Sequence, residues 1–248
     1  MTFLIDPVAA TTARRTLLAW YPGGARSFPW RGARDPYQVL VAELMLRRTQ
    51  ARQVAPVYLH FLQHFPTVRD LDQATADAVS ALLYPLGLGW RAANFKALAA
   101  VIMARFAGQI PADRTALLSL PGVGPYVADA VRCFAFGVAA PLVDTNTVRV
   151  AARYFGFAYT QESRRRPAVI AAVAALVDPA DAARSNYALL DFAAIVCQAR
   201  TPHHAACPLA GECRYYLQQQ RSTASPSPTP LSAQPDDDSN STLEARRV

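Results

Sequence analysis

One stretch of the chain, residues 120–150, constrains the fold more than any other. It reads LPGVGPYVADAVRCFAFGVAAPLVDTNTVRV, in which Gly122 and Gly124 form a turn and Pro125 stands where a helix would begin. Glycine turns tightly and leaves no side chain in the way of a partner, and proline suits the first position of a helix. Free N–H groups at a helix start attract anions. The stretch therefore predicts a glycine hairpin whose Gly122, Val123 and Gly124 contact a phosphate, or else a plain turn without a ligand.

Two motifs carry a resemblance to a known family. LPGVGPYVADAV followed by VDTNTVRV resembles the helix–hairpin–helix (HhH-GPD) DNA glycosylases, the superfamily of endonuclease III and MutY. Within it, RSFPWRGARDPYQVLVAELMLRRT is most similar to the Mig-type thymine and uracil mismatch glycosylases. The resemblance covers about residues 26–216. It implies a helical barrel at 30–143, a second domain formed by 1–29 and 144–216, and an active site between them.

Helical signals dominate the remaining chain, and no alternating strand pattern is found, so the predicted fold class is all-α. Asp35 and Pro36 indicate the cap and first turn of an apolar helix that continues to Met45. Further helices are predicted at about 51–64, 76–84, 91–106, 114–119, 125–136, 145–155, 165–177 and 181–197. The composition of residues 222–248, rich in Ser, Pro, Thr and Asp, predicts a disordered tail.

The charge of the chain favours a polyanionic partner. A net charge of +7 and a pI near 9.5 suit double-stranded DNA, although a basic protein without such a partner has the same charge. No apolar run is long enough for a membrane span, and Asp6 and Pro7 interrupt the place where a signal peptide needs an apolar core. We expect a monomer in the cytoplasm, associated with the nucleoid.

Three residues match catalytic positions of the resembled family. Asp144 is expected to stabilise positive charge on the sugar while an N-glycosidic bond breaks, and its plainer interpretation is a helix cap. Tyr126 stands where endonuclease III-like enzymes have a lysine nucleophile, and a phenol forms no Schiff base. Glu43 is expected to face the base pocket, where it accepts an N–H or, when protonated, helps adenine leave. The alternatives are a packing aromatic for Tyr126 and a solvent-facing acid for Glu43.

Base extrusion also requires side chains that fill the space left in the stack. Arg47 and Arg48 follow the helix of Glu43, where MutY-like enzymes have a glutamine pair, and this departure favours the Mig type. The loop GLGW, which ends at Trp90, is closer to the MutY loop. We expect Arg47, Arg48 and Trp90 to contact DNA, and a core position is the alternative for Trp90.

A cysteine-rich segment follows the last predicted helix. The resembled family has an iron–sulfur loop of four cysteines separated by six, two and five residues. Here Cys197, His204, Cys207 and Cys213 keep that spacing, with histidine second. Imidazole ligates iron in some clusters, so the resemblance implies a [4Fe–4S] cluster, with a Cys₃His zinc site or no metal as alternatives.

The resemblance thus implies a monofunctional DNA glycosylase that removes thymine or uracil opposite guanine in base excision repair and leaves an abasic site. The first alternative is an adenine glycosylase of the MutY type, although those proteins usually carry a further C-terminal domain. The second is a catalytically silent DNA-binding module. Such a module would be expected to have lost Asp144, Glu43 or Tyr126.

Overall fold

The computed structural model describes residues 3–224, and this part of the chain is helical, without a strand. The all-α prediction is confirmed. No described helix is long and apolar enough to cross a membrane. The helices are α1 (Pro7–Gly24), α2 (Pro36–Met45), α3 (Ala51–His64), α4 (Val68–Gln73), α5 (Ala76–Leu83), α6 (Ala92–Phe106), α7 (Arg114–Leu118), α8 (Pro125–Phe136), α9 (Thr145–Phe155), α10 (Pro167–Ala174), α11 (Ala182–Ile195) and α12 (Arg214–Ala224).

Three helices escape the sequence prediction. Helix α1 begins on an Asp–Pro pair like that of α2, and the carboxylate of Asp6 accepts the N–H of Val8 at 2.9 Å. Helix α4 has only six residues, and the sequence of α12 is mostly polar. Helix α12 also includes residues 222–224 of the expected tail, whereas residues 225–248 lie outside the described part.

Buried apolar side chains form two separate clusters. The first is built around helices α2 to α8, with Leu40 and Phe61 among its fully buried members. The second joins α1, α9, α10 and α11 through side chains such as Leu17 and Phe192. Helix α11 contributes to both clusters, since Ala182 belongs to the first and Phe192 to the second. The boundaries at about residues 30 and 143 stay a prediction, which these two cores support.

Helix α2 runs through the first core and positions its acid there. All residues from Val39 to Met45 are buried, including Glu43. Each buried aliphatic side chain contributes about 1.5–3 kcal/mol of hydrophobic stabilisation. The helix begins at Asp35, whose carboxylate accepts the backbone N–H groups of Tyr37 and Gln38 at 2.7 and 3.1 Å. Because α2 packs against α8, the acid lies close to the helix that follows the glycine hairpin.

Candidate active site

The glycine hairpin has room and hydrogen-bond donors for an anion on its outer side. Gly122 has a φ of +77°, which L side chains rarely adopt, and the N–H of Val123 donates to the carbonyl of Leu120 at 3.1 Å. A Cβ added at Gly122 or Gly124 would meet nothing within 4 Å. Helix α8 starts after Gly124 without a side-chain cap, so its first N–H groups are not used by one.

The turn after α2 is fastened to this hairpin. The guanidinium of Arg47 donates to the carbonyl of Gly122 at 2.8 Å, and the buried Arg91 donates to the carbonyl of Arg47 at 3.1 Å. Arg48 adopts a left-handed φ of 62°, a conformation that costs a non-glycine residue about 1–3 kcal/mol. Arg47 and Arg48 are exposed, so the turn presents two cations beside the hairpin.

Trp90 lies on the surface. Its side chain is 70% exposed, and the guanidinium of Arg91 lies 4.8 Å from its ring centroid. The interpretation of Trp90 as a core residue is therefore wrong. Because Arg91 also contacts the turn after α2, the exposed indole and the Arg47–Arg48 turn belong to neighbouring surface.

Glu43 is a buried acid, so the solvent-facing alternative is wrong. The residue is 5% exposed, and its carboxyl has a pKa raised from 4.5 to about 7. Burial is the main cause because it disfavours the charged form, and the negative charge of Asp144 acts in the same direction. The positive charge of Arg31 and a hydrogen bond with Tyr126 oppose the increase. The carboxyl therefore changes charge near neutral pH.

Tyr126 lies on the first turn of α8 and belongs to the same electrostatic group. Burial raises the pKa of its phenol well above the usual value, and the negative charges of Glu43 and Asp144 add to the increase. The hydroxyl is therefore neutral over the physiological range and serves as a hydrogen-bonding group. The structure thus brings together the three residues that the sequence singled out.

Asp144 caps helix α9. Its Oδ1 accepts the backbone N–H groups of Asn146 and Thr147 at 2.8 and 2.7 Å, and its Oδ2 accepts Nδ2 of Asn146 at 2.8 Å. The residue is only partly buried. The helix-cap interpretation is thus correct, and it leaves a fixed carboxylate at a helix N-terminus close to Glu43 and Tyr126.

The sequence prediction misses a buried ion pair behind this group. Asp191 is 0% exposed and accepts the backbone N–H of Arg26 at 2.9 Å, Nε of Arg26 at 2.7 Å and Nη2 of Arg31 at 2.6 Å. The guanidinium of Arg31 also lies 4.1 Å from the ring centroid of Tyr187. An acid inside the apolar run ALLDFAAI is the same signal as Glu43 within α2, and it could have marked Asp191.

Two nitrogen atoms of the Arg31 guanidinium are not used by the ion pair with Asp191. Its Nε and Nη1 atoms are buried without a hydrogen-bond partner in the part of the chain that the structure describes. Its positive charge acts on Glu43, Tyr126 and Tyr187. A buried unpaired N–H group is costly, so these donors suit a ligand that enters the same space.

Lys96, the only lysine of the chain, is held elsewhere. Its ammonium donates to the carbonyl of Leu71 at 3.1 Å and to that of Asp72. These carbonyls belong to helix α4, which packs against α6. The amine is therefore engaged by backbone oxygens of the first core rather than by the acids of the site.

Comparison with known proteins identifies the family. Residues 41–169 match the sequence model of the HhH-GPD superfamily of base excision DNA repair proteins, which covers more than half of the chain. The chain belongs to this superfamily. The matched region includes Glu43, the glycine hairpin, Tyr126 and Asp144.

Individual relatives agree with the superfamily. The chain is 40% identical to a thymine/uracil-DNA glycosylase of Pyrobaculum aerophilum, over 85% of this chain and 94% of that protein. It is 36% identical to an adenine DNA glycosylase of Mycolicibacterium smegmatis, over 80% of this chain and 68% of that one. Among solved structures, a thermostable thymine-DNA glycosylase matches with a TM-score of 0.80 and 35% identity, covering 85% and 98% of the two chains.

The four predicted metal ligands of this HhH-GPD protein line one cavity. Cys197, His204, Cys207 and Cys213 all border it, together with apolar residues of α9 and α11. Within residues 3–224, however, no three His, Cys, Asp or Glu side chains are close enough together to hold a metal ion. The three thiols and the imidazole are thus suitable metal ligands that line the same cavity, but their side chains are not close enough together to coordinate one ion.

A stability measurement tests the environment of Glu43. Its folded carboxyl holds a proton up to about pH 7, whereas the unfolded one releases it near 4.5. Between these values the folded state binds more protons, so stability falls as the pH rises. We expect the free energy of unfolding of the wild type, relative to Glu43→Gln, to fall by about 3 kcal/mol between pH 4 and 8. Chemical denaturation at several pH values measures it.

The matched control for this measurement is Glu162→Gln. Glu162 is an exposed acid on a surface turn, and its pKa is lowered rather than raised. Relative to Glu43→Gln, the free energy of unfolding of this variant should fall between pH 4 and 8 as that of the wild type does. If the free energy of unfolding of Glu43→Gln depended on pH as that of the wild type does, the Glu43 carboxyl would not be the buried group that titrates near neutral pH.

Proposed function

We propose that the protein is a monofunctional DNA glycosylase that removes thymine or uracil opposite guanine and leaves an abasic site. The observation that carries the proposal is the convergence of Glu43, Tyr126 and Asp144 beside the glycine hairpin. Similarity to thymine/uracil-DNA glycosylases, at 40% identity for the protein of Pyrobaculum aerophilum and 37% for that of Methanothermobacter thermautotrophicus, supports the substrate class.

Asp144 acts on the sugar. When the N-glycosidic bond breaks, the base leaves with the bonding electrons and positive charge develops on the deoxyribose. A carboxylate that two backbone N–H groups and one amide hold in place lowers the energy of that cation without reorganising. Water then bonds to C1′, and the proton it loses passes to solvent through Asp144.

Glu43 and Arg31 act on the base. An ionised Glu43 accepts the ring N–H of thymine or uracil, which adenine lacks. The Nε and Nη1 of Arg31, which have no hydrogen-bond partner among residues 3–224, donate to a pyrimidine carbonyl oxygen and stabilise the negative charge of the departing base. The ring of Tyr187 lies against the guanidinium of Arg31 and helps to hold it in place. Donors and acceptors in this pocket therefore complement a pyrimidine dione.

Strand cleavage is not part of the proposed reaction. A Schiff base with the sugar requires an amine nucleophile, and Tyr126 offers only a phenol kept neutral by burial. Lys96 is engaged by the carbonyls of Leu71 and Asp72. The product is therefore an intact strand with an abasic site.

The surface around the hairpin holds the DNA. A phosphate is proposed to bind on the outer side of the hairpin formed by Gly122, Val123 and Gly124, where a Cβ at either glycine would meet no atom of the described residues. Arg47 and Arg48 lie next to this site, and Trp90 projects from the neighbouring loop. We propose that Arg48 and Trp90 occupy the space left by the extruded nucleotide.

Adenine is the second candidate base. A carboxyl whose pKa is about 7 is half protonated at neutral pH, and protonated Glu43 would donate to adenine as it leaves. The similarity to the adenine DNA glycosylase of Mycolicibacterium smegmatis is compatible with this candidate. The two Arg31 donors that lack a partner in the described part of the chain favour a base with carbonyl oxygens instead.

Single-turnover base release tests the proposed function. Duplexes with G·T, G·U, A·U and 8-oxoguanine·A are incubated with excess protein and scored with and without alkali. We expect release of thymine or uracil opposite guanine, with strand breaks only after alkali treatment. If adenine were released from 8-oxoguanine·A and no base from the other duplexes, the second candidate function would be correct. Strand breaks without alkali would contradict a monofunctional reaction.

Asp144→Asn is the control variant for this measurement. Asparagine caps helices as well as aspartate does, so helix α9 and the fold should persist. Without the carboxylate charge, base release should slow by at least about 10²-fold, while duplex binding is retained. Normal turnover by the variant would refute the catalytic role of Asp144, and the absence of base release by the wild type on every duplex would favour a silent binding module.

The pH dependence of kcat/KM distinguishes the two charge states of Glu43. This parameter follows the ionisation of the free enzyme. If ionised Glu43 accepts a pyrimidine N–H, kcat/KM for G·U should rise with pH through about 7 and level off above it. Glu43→Gln should lack that limb. A wild-type rate that falls through pH 7 would mean that the protonated carboxyl is the active form.

We further propose that Cys197, His204, Cys207 and Cys213 hold a [4Fe–4S] cluster, with zinc as the alternative. All four line one cavity beside α9 and α11, and their spacing supports a shared metal centre. Bound there, the metal centre would supply cross-linking of the segment rather than redox chemistry. Its loop would then present exposed arginines such as Arg200 and Arg214 to the phosphate backbone.

Metal analysis of the purified protein tests this site. We expect about four iron and four sulfide ions per chain, and slower iron loss to a chelator in His204→Cys, because a fourth thiolate replaces a neutral ligand. Cys133→Ala is the control, since Cys133 is buried in the other core and should not affect metal content. One zinc ion per chain without sulfide would establish the alternative, and a metal-free protein would refute both.

A further inference from the structure

Asn186, on helix α11, uses its buried amide to hold residues 137–144, a segment that forms neither helix nor strand. The residue is 0% exposed. Its Oδ1 accepts the backbone N–H of Leu142 at 3.0 Å, and its Nδ2 donates to the carbonyls of Ala140 at 2.8 Å and Ala182 at 2.9 Å. Nδ2 also lies 3.4 Å from Sγ of Cys133. A single side chain therefore ties the residues that precede α9 to the body of α11.

The same segment is held from its other side by Thr147. The hydroxyl of Thr147 donates to the carbonyl of Leu142 at 2.8 Å and accepts the backbone N–H of Asp144 at 3.0 Å. The backbone N–H of Thr147 donates to Oδ1 of Asp144 at 2.7 Å. Leu142 is thus fixed through both its N–H and its carbonyl, and the second of these bonds leads directly to the carboxylate of Asp144.

We propose that Asn186 is a positioning residue for the glycosylase reaction, acting through Leu142 and Thr147 on the carboxylate of Asp144. The inference rests on the proposed function of Asp144. This role does not require Asn186 to touch the base or the sugar. Its effect is to set where α9 begins relative to α11, and with it the direction in which Asp144 faces the pocket.

The position of Asn186 suits this role because α11 joins the two cores. Ala182 belongs to the first cluster and Leu189 to the second. The next residue, Tyr187, stacks on Phe134 of α8 with ring centroids 4.0 Å apart. Asp144 lies on the chain that crosses between the clusters, so a loss of the amide frees the crossing segment without removing either core.

Asn186→Ala is compared with Ser185→Ala. Ser185 is a buried neighbour on the same helix, and its hydroxyl accepts the N–H of Asp178, away from the Asp144 segment. We expect Asn186→Ala to slow single-turnover release of uracil from G·U about tenfold to a hundredfold, with duplex Kd changed by less than about twofold. Ser185→Ala should keep the wild-type rate although it loses stability.

A double-mutant cycle supplies the readout that a purely structural role would not change. Thr147→Val removes the bonds that the hydroxyl makes to Leu142 and Asp144. If both side chains hold one segment, the double variant should be slower than the slower single variant by less than about twofold. Multiplicative losses would mean that Asn186 acts independently of Thr147, and the proposed route to Asp144 would be refuted.

Outcomes for the inference and for the proposed function are separate. A wild type that releases no base would refute the proposed function, whatever the variants do. An active wild type with Asn186→Ala as fast as Ser185→Ala would refute the positioning role alone. Should Asn186→Ala fail to fold, Asn186→Ser retains a small polar group, and its rate at saturating protein is compared with Ser185→Ala in the same way.

Discussion

The buried ion pair between Arg31 and Asp191 underlies the rest of the site. Asp191 is 0% exposed on a helix that contributes to both cores, and a buried carboxylate of this kind is tolerated only when it is paired and hydrogen-bonded. Arg31 and Arg26 satisfy it. The pairing fastens the segment before α2 to α11, and the positive charge of Arg31 also acts on Glu43. The same guanidinium thus pairs with the buried Asp191 and influences the pKa of Glu43.

Glu43 shows the cost of this arrangement. Its carboxyl lies in an apolar core with only partial compensation from Arg31 and Tyr126, and its pKa rises to about 7 as a result. A glutamine or an apolar residue there would cost less at neutral pH. Such an unfavourable group persists where its chemistry is needed. Loss of stability at Glu43 and readiness to change charge near neutral pH are thus two consequences of one desolvated carboxyl.

Features of the fold and the site that depend on neighbouring residues could be predicted from the sequence. Features that depend on contacts between residues far apart in the chain could not. The Asp35–Pro36 cap and the glycine hairpin involve neighbouring residues, so the start of α2 and the turn before α8 follow from the sequence. The bond between Arg31 and Asp191 joins residues 160 positions apart. No periodicity reports such a pair, although the acid within an apolar helix marks one partner.

Asp144 shows why a structural and a catalytic interpretation need not compete. A helix cap requires an acceptor held at the first N–H groups, and stabilisation of a sugar cation requires a carboxylate that is ionised and fixed before the bond breaks. The two backbone N–H groups that donate to the carboxylate of Asp144 hold it in place and prevent its rotation. The side chain that caps α9 is therefore already held as the proposed reaction requires. The cap alone does not determine the direction of the whole turn, and the amide of Asn186 on α11 holds the segment that precedes this turn.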